Sequence, residues 1–549
     1  MVSKQFYLYG EDPTTARNIE VFSPVSFDGL RGLIASQFSI IDRDGIGFLS
    51  SDTLTTVEDV LSLDGPIGIT IDGKAVREVP GPKGLPFIGS YLELYPDHLG
   101  NRQRLFDEYG PLFKMTNMGS RVYQTNDPKL AKIFFAESDF FSKKIIEDHP
   151  VLPLKNNVSA LFVGDTDTEA WRISHKFLPP ALGPKAVRRY VPTMVATIES
   201  SFKVFDELDA RDEAFHAYQY MLKLGAQSIG KVVLGTDFGH FSSPDVNLSD
   251  LPQKIIDLLE VNSKLIAMGS WYSALPFGHP KRLRQLLAEV HAMTDKLAEN
   301  AVKGNGDLDL QEAAVKAYNV VDYTFRATDN KGNKMPRDMI TKPLFIVVAA
   351  GFVTTSCVLS WLVCSIVENT DIQDRLLQEL IDNDVDENTT MDADLIGKLT
   401  FMGKLVKECL RKHSPAFQPG RTSKMDSILP GGYKLPKDSI VIPALHHIHH
   451  NTALWDNPAH FDPDRWDTDQ VKNLPTGSYI PFGMGPRGCI GFNFALMEVK
   501  IFIAKLVYRY KFSLATDGPI GYEPMYQLII PNNLYVRAER RVKWPPKSE

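Results

Sequence analysis

Apolar residues recur every three to four positions along most of the chain after about residue 90. RLFDEYG, DPKLAKIFFAE, AVRRYVPTMVATIESSFKVFDEL and HPKRLRQLLAEVHAMTDKLAENAV all carry this spacing, which predicts helices with one buried face. The beginning of the chain is patterned differently. KQFYLYG and NIEVFS read as short strands and SFDGLRGLIASQF as a helix N-capped by Ser26. GIGFLS, TTVEDVLSL and PIGITIDGKAV then give strand, short helix and strand. VPGPKGLPFIGS, dense in Pro and Gly, interrupts regular structure and reads as a linker. Residues 303–338 are polar and rich in Gly, Asp, Asn and Lys, which predicts a mobile connection, and PGGYKLPKDSIVIPALHHIHH predicts a small strand-rich patch. The fold class expected is therefore mainly α with small β-sheets over 80–549, preceded by a small α+β module over 1–79. The module's element order resembles the β-grasp of ubiquitin-like domains.

One segment departs from amphipathic patterning. PLFIVVAAGFVTTSCVLSWLVCSIV, residues 343–367, carries no charge. Its length alone would suit a membrane span. Thr354, Thr355, Ser356 and Ser360 interrupt it, no aromatic belt frames it, and Lys342 and Glu368 close it without a positive-inside bias. These features favour a helix buried through the middle of a large helical domain.

Composition narrows the class. The chain has 549 residues, 43% hydrophobic and 23% charged, enough apolar mass for a large core. Its net charge of −7 gives no electrostatic reason to expect nucleic acid. The module holds twelve acidic and six basic residues, so it carries −6 of that charge. Four cysteines without a CxxC pair exclude a disulfide scaffold and a common zinc site. The N-terminus lacks a charged-then-apolar signal pattern and a transmembrane anchor. A cytoplasmic protein, peripheral to a membrane at most, is expected.

PFGMGPRGCIG, residues 481–491, concentrates four glycines, one arginine and Cys489. A thiolate binds metal and a thiol does not, so such a cysteine needs a positive potential. A long amphipathic helix, GFNFALMEVKIFIAKLVYRY, follows it and would place its N-terminus near the sulfur, and a ferric iron would act more strongly. Glycines let backbone pass close to a flat cofactor, and Arg487 could pair with a carboxylate of that cofactor. Phe482, Gly485, Arg487, Cys489 and Gly491 match FxxGxRxCxG, the haem-binding loop of the cytochrome P450 family, at every fixed position, and Gly483 takes one of its free ones.

Further motifs follow in family order. KECLRKH holds Glu408 and Arg411, three apart on one helical face, and FDPDRW holds Arg465. Together they resemble the family's Glu-Arg-Arg triad behind the haem loop. AWRISHK, with Trp171 and His175, resembles the segment that holds a haem propionate, with His where Arg is common. Arg421 in QPGRTSK is either a further propionate contact or a surface residue. The resemblance spans roughly residues 80–540. PAF at 415–417 and SHKFLPPAL at 174–182 look closest to bacterial and fungal fatty-acid hydroxylases, which are often fused to a reductase, whereas no flavin reductase follows here. The resemblance implies haem b with a cysteine thiolate ligand, NADPH-cytochrome P450 reductase or a similar donor, and insertion of one oxygen atom into an apolar substrate, plausibly in lipid or secondary metabolism.

AGFVTTS, residues 350–356, resembles the family's oxygen-binding signature through Ala350, Gly351, Thr354 and Thr355, but Val353 replaces its acid. Thr354 could still donate to bound oxygen beside a groove at Gly351, whereas valine relays no proton. Three readings follow: a monooxygenase whose protons come through water or substrate, a hydroperoxide isomerase or peroxygenase independent of O2 and NADPH, or a haem-bearing interaction protein. Phe352 and Val353 would make the distal pocket apolar. Phe162, nine residues before Trp171, reads as a pocket contact or, more readily, as core. Arg172, Lys176, Lys185, Arg188, Arg189, Lys500 and Lys505 would offer a basic docking face to an acidic reductase. His446 and His450 could share a metal only on a helix, and their context reads as strand and loop. The acidic module would dock a partner or hold the enzyme in place without lipid insertion.

Overall fold

Ser26 ends the extended N-terminal segment by accepting the Gly29 N–H at 3.0 Å, and so starts helix α1 (Phe27–Phe38). In the computed structural model, which describes all residues except 23, 51–53, 148, 156–160, 417, 418, 524–527 and 549, α1 turns Leu30, Ile34 and Phe38 inward. They cover a four-stranded sheet of β1 (Val2–Leu8), β2 (Arg17–Val21), β3 (Ile46–Phe48) and β4 (Ile67–Ile71) in the order β2-β1-β4-β3. The central pair is parallel, with Phe6 opposite Ile67, and both outer pairs are antiparallel. A second helix, α2 (Val57–Ser62), begins with a reciprocal capping box between Thr56 and Asp59. This arrangement is that of a β-grasp sheet.

The module shares a seam with the rest of the chain. Ile41 donates to the Ile428 carbonyl at 3.1 Å and Ile428 donates to Ser39 at 3.0 Å. The Ile428 side chain completes the module's own core, beside Ile40, Val60 and Ile71. Glu11 pairs with Lys434 at 2.6 Å, and the Asp72 carboxylate accepts the Gly431 N–H at 2.8 Å. Strand β5 (Arg77–Glu78), at the end of the expected module, pairs with Tyr433–Leu435.

The uncharged segment forms one helix, Leu344–Glu368, called the central helix below. Nineteen of its 25 residues are buried, and its second half is buried on every side. It is the one helix among the described residues long and apolar enough to cross a membrane, and the protein uses it as core. Its hydroxyls bond back to the helix: Ser360 to Ser356 at 2.7 Å and Ser365 to Trp361 at 2.8 Å. Helix Ala217–Leu234 packs against it most closely. A Cβ at Gly225 would stand 2.6 Å from the Ser356 hydroxyl, and one at Gly351 would stand 2.4 Å from Ile229. Gly351 therefore admits a neighbouring helix.

Residues 303–338 are folded, contrary to the expected mobile connection. Helices Leu310–Lys316 and Val320–Arg326 are capped by Asp309 and Asn319, polar residues that resemble loop composition in a plain sequence. Buried Asp322 accepts from the backbones of Lys303, Gly304 and Tyr318, and the Tyr323 hydroxyl bonds to Phe177 at 2.7 Å. The HHIHH stretch also departs from expectation: Leu445–His449 is a short helix that places His446 and His450 in a stack at 4.0 Å. Among the described residues no group of side chains fit to hold a metal forms there. A mixed five-stranded sheet, in the order Leu112–Asn117, Ser120–Thr125, Ile440–Pro443, Arg421–Ser423, Phe141–Ser142, brings Arg421 alongside the segment that carries Lys143.

Candidate active site around Cys489

The loop that carries Cys489 is built by its glycines. Gly483 and Gly485 have φ of 71° and 67°, which favour glycine, and a Cβ on Gly485 would meet the Phe135 carbonyl at 2.4 Å. The Cys489 N–H then closes the loop onto the Phe482 carbonyl at 2.9 Å. Helix Phe492–Arg509 starts immediately afterwards, with Gly491 at its N-cap. Phe482 packs at a tilt toward Phe492, ring centroids 6.2 Å apart. Cys489 is accessible, although protein surrounds it on most sides. Burial raises its thiol and the Gly491 N–H lowers it, with burial the larger effect. The helix N-terminus alone therefore does not ionise this sulfur.

A cluster of buried cations lies beside the loop. Arg487 donates through Nη2 to the carbonyls of Leu161 (2.7 Å) and Gly164 (2.8 Å) and stacks 5.0 Å from the Trp171 ring centroid. Trp171 in turn stacks on His175, centroids 4.6 Å apart. Arg421 is buried, which removes its surface reading, and pairs with Glu137 at 2.8 Å. Lys143 and His149 complete the group and were not singled out by any sequence motif. Burial and the neighbouring Arg487 and Arg421 hold Lys143 well below its usual range, and burial with Lys143 does the same to His149. Arg487 and Arg421 are both lowered to about 10, chiefly by burial. Arg487 Nη1, Arg421 Nη2 and His149 Nε2 have no hydrogen-bond partner among the described residues. Buried cations with donors to spare fit a ligand with carboxylates. The residues present thus fit a flat, acidic cofactor ligated by Cys489.

The expected triad is assembled behind this loop. Glu408 receives Arg411 through two bonds, 2.8 and 3.0 Å, and Arg465 at 3.0 Å, all in full burial. The arginines spend their remaining donors on carbonyls of His449, Pro458, His460 and Asp456. Those contacts pin the meander before Cys489 to the Thr400–Lys412 helix.

Val347, Ala350, Gly351 and Thr354 form an accessible stripe along the first half of the central helix, at helical spacing, where Ala349 is the one other residue not fully buried. Thr354 donates to Ala350 at 2.8 Å and Thr355 to Gly351 at 3.2 Å. Phe352 and Val353 are fully buried on the other faces, packed in the core, so they do not line a pocket as expected from sequence. Phe162 reverses its favoured reading as well: it is half exposed and lies under Lys143, 4.2 Å from the ring centroid. The basic face is smaller than expected. Lys505 is buried and bound to Glu199, and Lys176 and Arg188 are paired with Asp329 and Asp394. Arg172, Lys176, Lys185 and Arg188 remain exposed, and Arg189 and Lys500 are half-buried. Phe417 of the PAF stretch lies outside the described residues.

A family model described as cytochrome P450 matches residues 79–536. Cytochrome P450 monooxygenase alnD of Emericella nidulans is 43% identical over the whole length of both chains. The bifunctional cytochrome P450/NADPH–P450 reductase ascE of Acremonium egyptiacum is 25% identical over 84% of this chain and 43% of its own. Leukotriene-B4 omega-hydroxylase 3 of Mus musculus is 26% identical over 68% of this chain and 72% of its own.

Proposed function

The chain belongs to the cytochrome P450 family and is a monooxygenase of that family; on that premise we propose that Cys489 would hold a haem b through its thiolate and that the enzyme oxidises an apolar organic substrate with electrons from a separate reductase. The observation that carries the reading is the accessible Cys489 in the glycine loop, next to a cluster of basic side chains with unspent donors. Haem with a thiolate ligand supplies oxygen activation when bound.

The chain's own residues hold and orient. Arg487, Arg421, Lys143 and His149 would hold the two propionates, whose charge would balance a cluster that burial otherwise discharges. Trp171 and His175 brace Arg487. The triad of Glu408, Arg411 and Arg465 keeps the cysteine loop from moving relative to the helix behind it. Thr354, on the accessible stripe of the central helix, offers a hydroxyl at the position of the family's oxygen-binding threonine. Val347 and Ala350 on the same stripe favour an apolar ligand.

The reductase named together with a P450 in the ascE relative is the model for the electron donor. We propose that Arg172, Lys185 and Arg188 meet its acidic surface. We propose a place in lipid or secondary metabolism. We propose a cytoplasmic enzyme, peripheral to a membrane at most; the one helix among the described residues long and apolar enough to span is used as core.

The test is turnover of the purified holoprotein on a panel of apolar compounds under three conditions: NADPH, reductase and O2; an organic hydroperoxide alone; neither. Oxygenated product in the first condition alone is the expected result. Product from hydroperoxide alone assigns an isomerase or peroxygenase. Haem binding without turnover in any condition assigns a binding protein. Cys489→Ala is expected to abolish the carbon-monoxide difference band of the reduced protein; an unchanged band would end the reading.

A further inference from the structure

Four helices meet at the beginning of the central helix without closing completely. Leu178 directly follows helix Glu169–Phe177, Val321 belongs to helix Val320–Arg326, Ile340 to helix Arg337–Thr341, and Leu344 opens the central helix. All four side chains are buried, and they wall a cavity with room for one small molecule. Valine is short and stiff on a helix, so Val321 cannot extend to fill it. The lining is apolar apart from Thr324, whose hydroxyl is spent on the Val321 carbonyl at 2.8 Å. An ordered water needs about two to four polar partners, and here it would find one hydroxyl oxygen. A dry cavity of this kind takes a small apolar molecule instead.

The two ends of the cavity differ from its walls. Met339 lines the outer end and is partly exposed, and its unbranched thioether can swing aside. Val347 lines the inner end, and it is also the first member of the accessible stripe that continues through Ala350 and Gly351 to Thr354. We propose that this cavity is a site for a small diatomic gas, dioxygen in the working enzyme, on a route that runs from the surface at Met339 to the stripe at Thr354. The choice of dioxygen rests on the monooxygenase reading above, whereas the gas site rests on the cavity alone. No bond forms or breaks there. Its use is in timing: a gas with its own way in can arrive while an organic substrate still fills the space through which it entered.

Two gas probes test it on the full-length holoprotein. Crystals pressurised with xenon are expected to hold one xenon atom between Val321 and Leu344; an empty cavity, or an ordered water in its place, overturns the proposal. Val321→Ile puts one more methyl group into the hole and should lower the xenon occupancy. Carbon monoxide tests the route. After flash photolysis of the reduced carbon-monoxide complex, V321I is expected to slow rebinding from solvent severalfold, whereas Met339→Ala, which opens the outer end, should speed it. Unfolding temperature and the spin shift with an organic ligand should stay close to wild type in both. Rebinding at the wild-type rate in both variants overturns the route. With reductase and NADPH, V321I should raise the KM for O2 severalfold and leave kcat at saturating O2 near wild type; an unchanged KM in an active enzyme overturns the assignment to dioxygen. If xenon and carbon monoxide behave as expected but no reductase-supported oxygen is consumed, the monooxygenase reading fails while the gas site stands.

Discussion

The guanidinium of Arg487 lies 5.0 Å from the Trp171 ring centroid, and its Nη1 has no partner among the described residues. The stack fixes the plane of a planar donor, so that plane is set before any ligand arrives. Arg487→Lys keeps the charge but loses the stack and the second donor. Haem dissociation from this variant, followed by transfer to an apo-globin acceptor, is expected to be about tenfold faster, the size of one lost charge-assisted bond.

Lys143 makes a sharper prediction, because its two effects have opposite signs. Burial among Arg487 and Arg421 lowers it far below an ordinary lysine, so the apoprotein carries a cost there. Lys143→Met is expected to stabilise the apoprotein by about 1–4 kcal/mol, as when a buried charge gives way to an apolar side chain. The same variant should lose haem faster than wild type. Urea unfolding of the apoprotein and haem transfer from the holoprotein check the two halves separately.

Glu408 binds both triad arginines, so removing it leaves two buried cations. Glu408→Gln is expected to destabilise the protein by about 3–5 kcal/mol, although shape and size are kept. Thermal unfolding and haem content after purification would show it, and a variant within 1 kcal/mol of wild type would contradict the structural role.

Ile428 donates to Ser39 across the seam at 3.0 Å and fills the module's core. Ile428→Ala should cost about 2–5 kcal/mol. Calorimetry is expected to show one transition in wild type and an earlier, separate melting of the module in the variant. Two transitions in wild type would mean that the seam does not couple the units.

Acid should unfold the protein early. Burial holds His413, His446 and His449 well below the usual histidine range, with His447 at about 3 and His450 at about 4. Arg102, Arg411, Lys412 and Arg465 act in the same direction on members of this group. A depressed histidine is neutral in the fold and charged in the unfolded chain below pH of about 6.5, so the unfolded state binds more protons. Stability is complete above that pH and falls between about 6.5 and 4, by up to about 1.4 kcal/mol per unit for each histidine. Urea midpoints from pH 7 to pH 5 check the slope, which His447→Gln should flatten.

Much of this was readable because the relevant signals are local. Ser26, the strand–helix order of the module and the 343–367 run each follow from period and capping, and the cysteine loop from its glycines. The triad could be named because its spacing is short on one side and carried by a family motif on the other. Lys143 and His149 could not, since nothing near FSKK or EDHP states that both meet Arg421 from another sheet strand. Phe352 and Val353 were assigned to the pocket on adjacency to Thr354, yet each step along a helix turns the side chain by about 100°, which sends both into the core. The folded 303–338 segment was hidden because Asp309, Asn319 and Asp322 look like loop residues until they are seen as caps and buried acceptors.

Cys357, Cys364 and Cys409 are buried, and Cys489 alone is accessible. A thiol-reactive dye added to native protein therefore has one position to label, and iron bonded to that sulfur would block it. The labelled fraction would count the molecules without cofactor in any preparation, with the three buried thiols, released by denaturant, as an internal standard.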